Sequence, residues 1–133
     1  MRATLCALLL VLAAAGCGTA DDREQARGAV LRFNHALDEG RGSAACAELS
    51  AAAVAALESR WGRGCARAVT ALGLAGGEVT ATEVYLTSAR VQLSSGESAY
   101  LGREPAGWKI GALGCRPEEG KPRDRPLDCE VEA

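Results

Sequence analysis

A chain of 133 residues, 48 % apolar and 24 % charged, has the length and composition of one globular domain plus a short additional segment. Its formal net charge is −2, with 15 basic residues interspersed among 17 acidic ones, which leaves no concentrated cationic face and argues against a nucleic-acid partner. With two Trp, two Tyr and one Phe as large anchors, a core built mainly from Leu, Val and Ala is modest and gains from covalent staples. Arginine far outnumbers lysine, and Ala and Gly are abundant, the composition that a high-GC bacterial genome produces.

The chain starts with the cation Arg2 and continues into an apolar run from Leu5 to Ala15, which ends at Gly16-Cys17. Eleven apolar residues are too few to span a bilayer as a helix, which takes about twenty, but they suit the hydrophobic region of a secretory signal. Ala14-Ala15-Gly16-Cys17 resembles the lipobox of bacterial lipoproteins, departing from it at Ala14, where Leu is preferred. The resemblance implies a signal peptide over residues 1–16 that is cut before Cys17. Cys17 would then carry diacylglycerol and, on its freed amine, an acyl chain such as palmitate. Two or more acyl chains hold stably where one holds marginally, because each buried methylene contributes about 0.8 kcal/mol. The expected address is the extracytoplasmic face of the cell membrane. The alternative is an ordinary secretory signal with a coincidental cysteine.

Of the six cysteines, Cys6 leaves with the signal and Cys17 takes the lipid. Cys46, Cys65, Cys115 and Cys129 remain, an even number in an oxidising compartment. Four cysteines allow three connectivities, of which Cys46–Cys65 with Cys115–Cys129 is the simplest. Each loop would restrict the unfolded chain by about 3 kcal/mol. No two cysteines lie closer than eleven positions, so no close ligand pair suggests zinc, and no metal or other cofactor is expected.

Residues 17–22 are expected to be the lipidated cysteine and a tether, and residues 23–133 one domain. Asp22 with Gln25 has capping-box spacing and opens a helix. Ala26, Ala29, Val30, Phe33 and Leu37 recur at helical period, and Gly40 supplies the stop. Ser43 is expected to cap a short helix through Leu49, and Ser50 an alanine-rich one through Arg60 with Val54 and Leu57 inward. A further helical pattern runs through Cys65, Val69 and Leu72 to Gly73. After Gly76-Gly77 the period shortens to two. Val79, Ala81, Val84 and Leu86 suggest a strand with a bulge near Glu83. Ala89, Val91 and Leu93 alternate cleanly, Ser95-Gly96 turns the chain, and Ala99 and Leu101 follow. Past Pro105–Gly107 come Trp108, Ile110 and Ala112. The stretch from Arg116 to Pro126 is expected to be loop, with Cys129-Glu130-Val131 returning as a short edge strand.

Helices followed by an antiparallel run predict an α+β domain, N-terminal helices packed on one face of a four-stranded sheet. The element order, the strand beginning Gly107-Trp108-Lys109-Ile110, the Gly114-Cys115 ending and the closing Asp128-Cys129-Glu130-Val131 resemble small actinobacterial envelope lipoproteins. Those are grouped with the NTF2-like or cystatin-like fold, and the likeness covers about residues 24–132. It implies a conical pocket between sheet and long helix. Strand positions expected to face inward (Val79, Ala89, Val91, Leu93, Ala99, Leu101, Ile110) are apolar, and no acid–base pair emerges among them.

Tyr85, Tyr100, Trp61 and Glu83 are the candidate pocket residues. Trp108 is expected to be a core anchor, and His35, off the apolar stripe, a solvated helix residue. The acidic pairs Asp21-Asp22, Asp38-Glu39 and Glu118-Glu119 suit helix ends and loop surface. The expectation is a non-catalytic, lipid-anchored envelope domain that binds a small apolar ligand or serves a membrane protein. An isomerase-like or cyclase-like enzyme using Glu83, His35 or a tyrosine is the alternative, and a purely structural accessory subunit a third.

Overall fold

A computed structural model describes residues 18–117 and 128–133. The signal peptide, Cys17, Glu118-Glu119 and the rest of the proline-rich stretch lie outside the described residues. Helix α1 spans Gly18–Asp38, α2 Gly42–Ala47, α3 Ala51–Trp61 and α4 Cys65–Val69. Strands β1 (Val79–Tyr85), β2 (Ser88–Leu93), β3 (Ser98–Glu104), β4 (Gly107–Cys115) and β5 (Val131–Glu132) form one antiparallel sheet in sequential order. The class is α+β, as the pattern predicts, but the sheet has five strands rather than four, because the returning segment after Cys129 pairs with β4.

The stripe Ala26, Ala29, Val30, Phe33 is fully buried, joined by Ala36 one turn on. This is the response of a 3.6-residue period to a sheet offering one apolar face. Gly40 ends α1 at φ +67, a conformation costly for a side chain. Its N–H donates to the Leu37 carbonyl at 2.9 Å and that of Arg41 to Ala36 at 2.8 Å, so two orphan carbonyls are satisfied. The start of α1 differs from the capping expectation. The described helix already includes Gly18, so residues 18–22 of the expected tether are helical and Asp22 lies inside the helix. Asp22 pairs instead with Arg103 on β3, a tertiary contact that local spacing does not encode.

Ser50 does cap α3, accepting the Ala53 N–H at 3.1 Å, and Gly62 closes it in the left-handed region. Ser43 does not cap α2. Arg41 occupies the N-cap position and Ser43 lies within the helix. Gly42 is required where α2 crosses α4, since a Cβ there would overlap the Ala66 carbonyl. The Cys46–Cys65 disulfide clamps the same crossing, and Cys115–Cys129 ties the end of β4 to the chain entering β5. Both pairings are the local ones. Such staples compensate for alanine faces that remove little apolar area from water.

On the inner sheet face Ala89, Val91, Leu93, Ala99, Leu101, Trp108 and Ile110 are buried against Phe33 and Leu57, whereas Val79 is only half-buried. Two irregularities depart from simple alternation. The β1 bulge falls between Val79 and Ala81 rather than at Glu83, and Leu86 lies beyond the strand in the turn to β2. On β4 the phase slips after Ile110, so that Leu113 rather than Ala112 faces the core.

Candidate functional site

The space expected to form a cone is filled. Phe33, Leu57, Ile110, Val30 and Val91 are fully buried between the helices and the sheet. The gap bounded by Val30, Asn34, Leu93, Ala99 and Leu113 measures about 10 Å³. That is about room for one water, far below the several hundred Å³ of a ligand pocket.

Glu83, Tyr85 and Tyr100 do come together, but on the outer sheet face. The β1–β2 register sets Glu83 opposite Arg90 and Tyr85 opposite Ser88, and β2–β3 sets Arg90 opposite Tyr100. The period-two alternation that buries Ala89 and Val91 therefore carries this cluster to the opposite side. Arg90 Nη1 lies 3.7 Å from Glu83 Oε2, an oxygen that receives no hydrogen bond. Burial first, and the Glu83 carboxylate second, hold the Tyr85 phenol above its ordinary range, because both disfavour the phenolate. An acid beside a phenol could exchange protons, yet Tyr85 is 57 % exposed, so the pair lacks the water-excluding cavity that proton-transfer enzymes build.

Trp61, the fourth candidate, lies outside the sheet. It closes α3 and packs half-buried against the core. Trp108 is the expected core anchor, with the Arg103 guanidinium 5.4 Å above its ring. His35 is solvated: its Nδ1 lies 3.1 Å from Oε2 of Glu39, in the turn just after the helix. The Glu39 carboxyl is held below its ordinary range chiefly by its hydrogen bond from Arg41. Asp22 was expected at a solvated helix end and instead has a mostly covered carboxylate in its pair with Arg103.

A second feature escapes the sequence patterns. Glu97 is buried at 2 % exposure. Its Oε1 accepts from the Ala75 N–H at 3.0 Å and from Arg116 Nη2 at 2.6 Å, and its Oε2 accepts from the Gly76 N–H at 3.3 Å. The carboxylate thus fastens the loop after α4 to the start of β3. The signal was in the alternation: residue 97 is in phase with Ala99 and Leu101, so an acid there occupies an inward position. The fastened loop walls a groove of about 620 Å³, a size that suits a small ligand, in which Leu37, Val69, Leu72 and Leu74 line one part and Asp38, Thr70 and Glu78 make the rest polar.

Among the described residues no group of three His, Cys, Asp or Glu could hold a metal ion, and no helix is long and apolar enough to cross a membrane. No family model, no curated protein and no solved structure matches the chain.

Proposed function

We propose that the protein is an exported lipoprotein, acylated at Cys17, whose NTF2-like or cystatin-like domain serves a membrane protein as a non-catalytic accessory at the extracytoplasmic surface. Two disulfides support an oxidising compartment. The observation that carries the binding role is the division of the sheet. Its inner face is consumed by packing, while its outer face holds Glu83, Tyr85, Arg90 and Tyr100, of which Tyr85 is exposed and the other three are half-buried. Tyrosines and an arginine on a rigid sheet are the residue types that anchor protein interfaces.

The test is photo-crosslinking from position 100 in the cells that make the protein. A discrete adduct with one membrane protein, lost on Arg90→Glu and not formed from Ser59 on exposed α3, is expected. Equal adducts from both positions would overturn the reading. The groove that sets Leu37, Leu72 and Leu74 beside Asp38, Thr70 and Glu78 favours a second reading, a small ligand with an apolar body and polar groups. Native mass spectrometry of membrane-purified protein, with Leu74→Arg as the blocking variant, separates it from the first.

A further inference from the structure

We propose that the end of the domain formed by the β1–β2 and β3–β4 turns docks on the lipid bilayer, with Leu86 entering the interfacial region. The proposal rests on the membrane-anchored reading above and adds a second point of contact.

Leu86 is 94 % exposed and its neighbour Tyr85 is also exposed, at the tip of a hairpin whose loop is only Leu86-Thr87. Leu86 also has φ +49, the only positive φ among the described non-glycine residues. Two-residue hairpins fill such positions with Gly, Asn or Asp, which tolerate that backbone. A leucine here is therefore unfavourable for the fold twice over, in backbone conformation and in solvation. Strain of this kind points to a role outside the fold.

The position of the tip supplies its occupant. The Arg103 N–H donates to the Thr87 carbonyl at 2.8 Å, so the two hairpin turns share one end of the sheet. The Arg103 side chain pairs with Asp22 in the first turns of α1. Gly18 is four residues before Asp22, about 6 Å along a helix, and it directly follows Cys17. The end of the domain at which the chain continues toward Cys17 is therefore the end that carries Leu86, Tyr85, Pro105 and Ala106. A lipid at Cys17 would bring this end to the bilayer with no extended linker. Apolar and tyrosyl side chains are the kind that settle at the headgroup boundary. Charges at this end are mixed, Arg23 and Arg103 beside Asp21, Glu24 and Glu104, so docking is apolar and needs no anionic lipid.

The experiment uses the full chain, processed and purified from membranes. It is reconstituted in phosphatidylcholine vesicles with and without brominated acyl chains, and its N-terminal mass is measured on the same sample. Tryptophan is introduced as Leu86→Trp or, at the other end of the sheet, as Ser95→Trp. Above the Trp61 and Trp108 background, Leu86→Trp is expected to lose at least half its added emission to bromine, and Ser95→Trp none. An acylated sample without quenching at position 86 overturns the docking proposal. So does quenching equal at both positions, or protection of position 86 that depends on protein concentration rather than lipid, which marks a second copy. An unacylated mass overturns the anchor alone. The same quenching of that chain, with vesicles in excess, then supports docking if present and overturns it if absent.

Discussion

Replacing Glu97 should unfasten the loop that walls the groove, and the structure sets the size of the effect. In Glu97→Ala two backbone N–H donors, at Ala75 and Gly76, lose a charged acceptor, and Arg116 loses its partner. Hydrogen bonds to charged groups contribute about 1.5 kcal/mol each at the lower end. The Arg116 guanidinium is 53 % exposed, so screening limits its share to about 1 kcal/mol or less. Together Glu97→Ala should cost about 3–4 kcal/mol. Glu97→Gln keeps one acceptor oxygen at nearly constant volume and should cost about 1–2 kcal/mol. Urea unfolding followed by Trp61 and Trp108 fluorescence measures both, with an unchanged slope expected because the buried area is similar. Limited proteolysis should also cut within residues 73–78 earlier in both variants. Glu97→Ala within 0.5 kcal/mol of the parent, or Gln as costly as Ala, would refute the reasoning.

Removing the α2–α4 clamp with Cys46→Ala and Cys65→Ala together releases a loop whose ends are 19 positions apart and should cost about 3 kcal/mol, read as a lower urea midpoint. Leu86→Asn should raise the thermal midpoint, by about 0.5–1 kcal/mol of added stability, because asparagine accepts the φ that leucine resists; a lower midpoint would mean that the leucine serves the fold. In a Tyr100→Phe background, ultraviolet titration should find the Tyr85 phenol ionising above 10. Glu83→Gln should bring it part of the way down, since burial remains the larger cause. Because this pKa is raised on folding, its small contribution to stability is present below pH 10 and is lost as pH rises through the folded value.

Local regularities in the sequence were sufficient for much of this fold. The helical stripe from Ala26 to Leu37, the Gly40 stop, the Ser50 cap and the alternation of β2 each depend on residues within a few positions of one another. Cysteine parity and short loops likewise led to the observed disulfides. Features set by distant partners were not legible. Asp22 has the chemistry of a cap, yet Arg103 on β3 claims it. Ala112 and Leu113 exchange roles because a register shift against β3 turns the strand, and nothing in the apolar pattern marks which residue absorbs it. The candidate site was half legible. Alternation brings Glu83, Tyr85 and Tyr100 to one sheet face, but which face the helices cover depends on packing, and the core took the other. In the sequence Leu86 resembles a strand residue because an apolar side chain extends the apparent alternation; its positive φ is invisible there.

The intact mass of the chain isolated from the membranes of the cells that produce it tests the anchor most directly. The predicted species begins at Cys17, carries a diacylglycerol thioether with or without an amide-linked acyl chain, and has Cys46, Cys65, Cys115 and Cys129 oxidised. An unmodified polypeptide that still begins at Met1, or four free thiols at those positions, would contradict it.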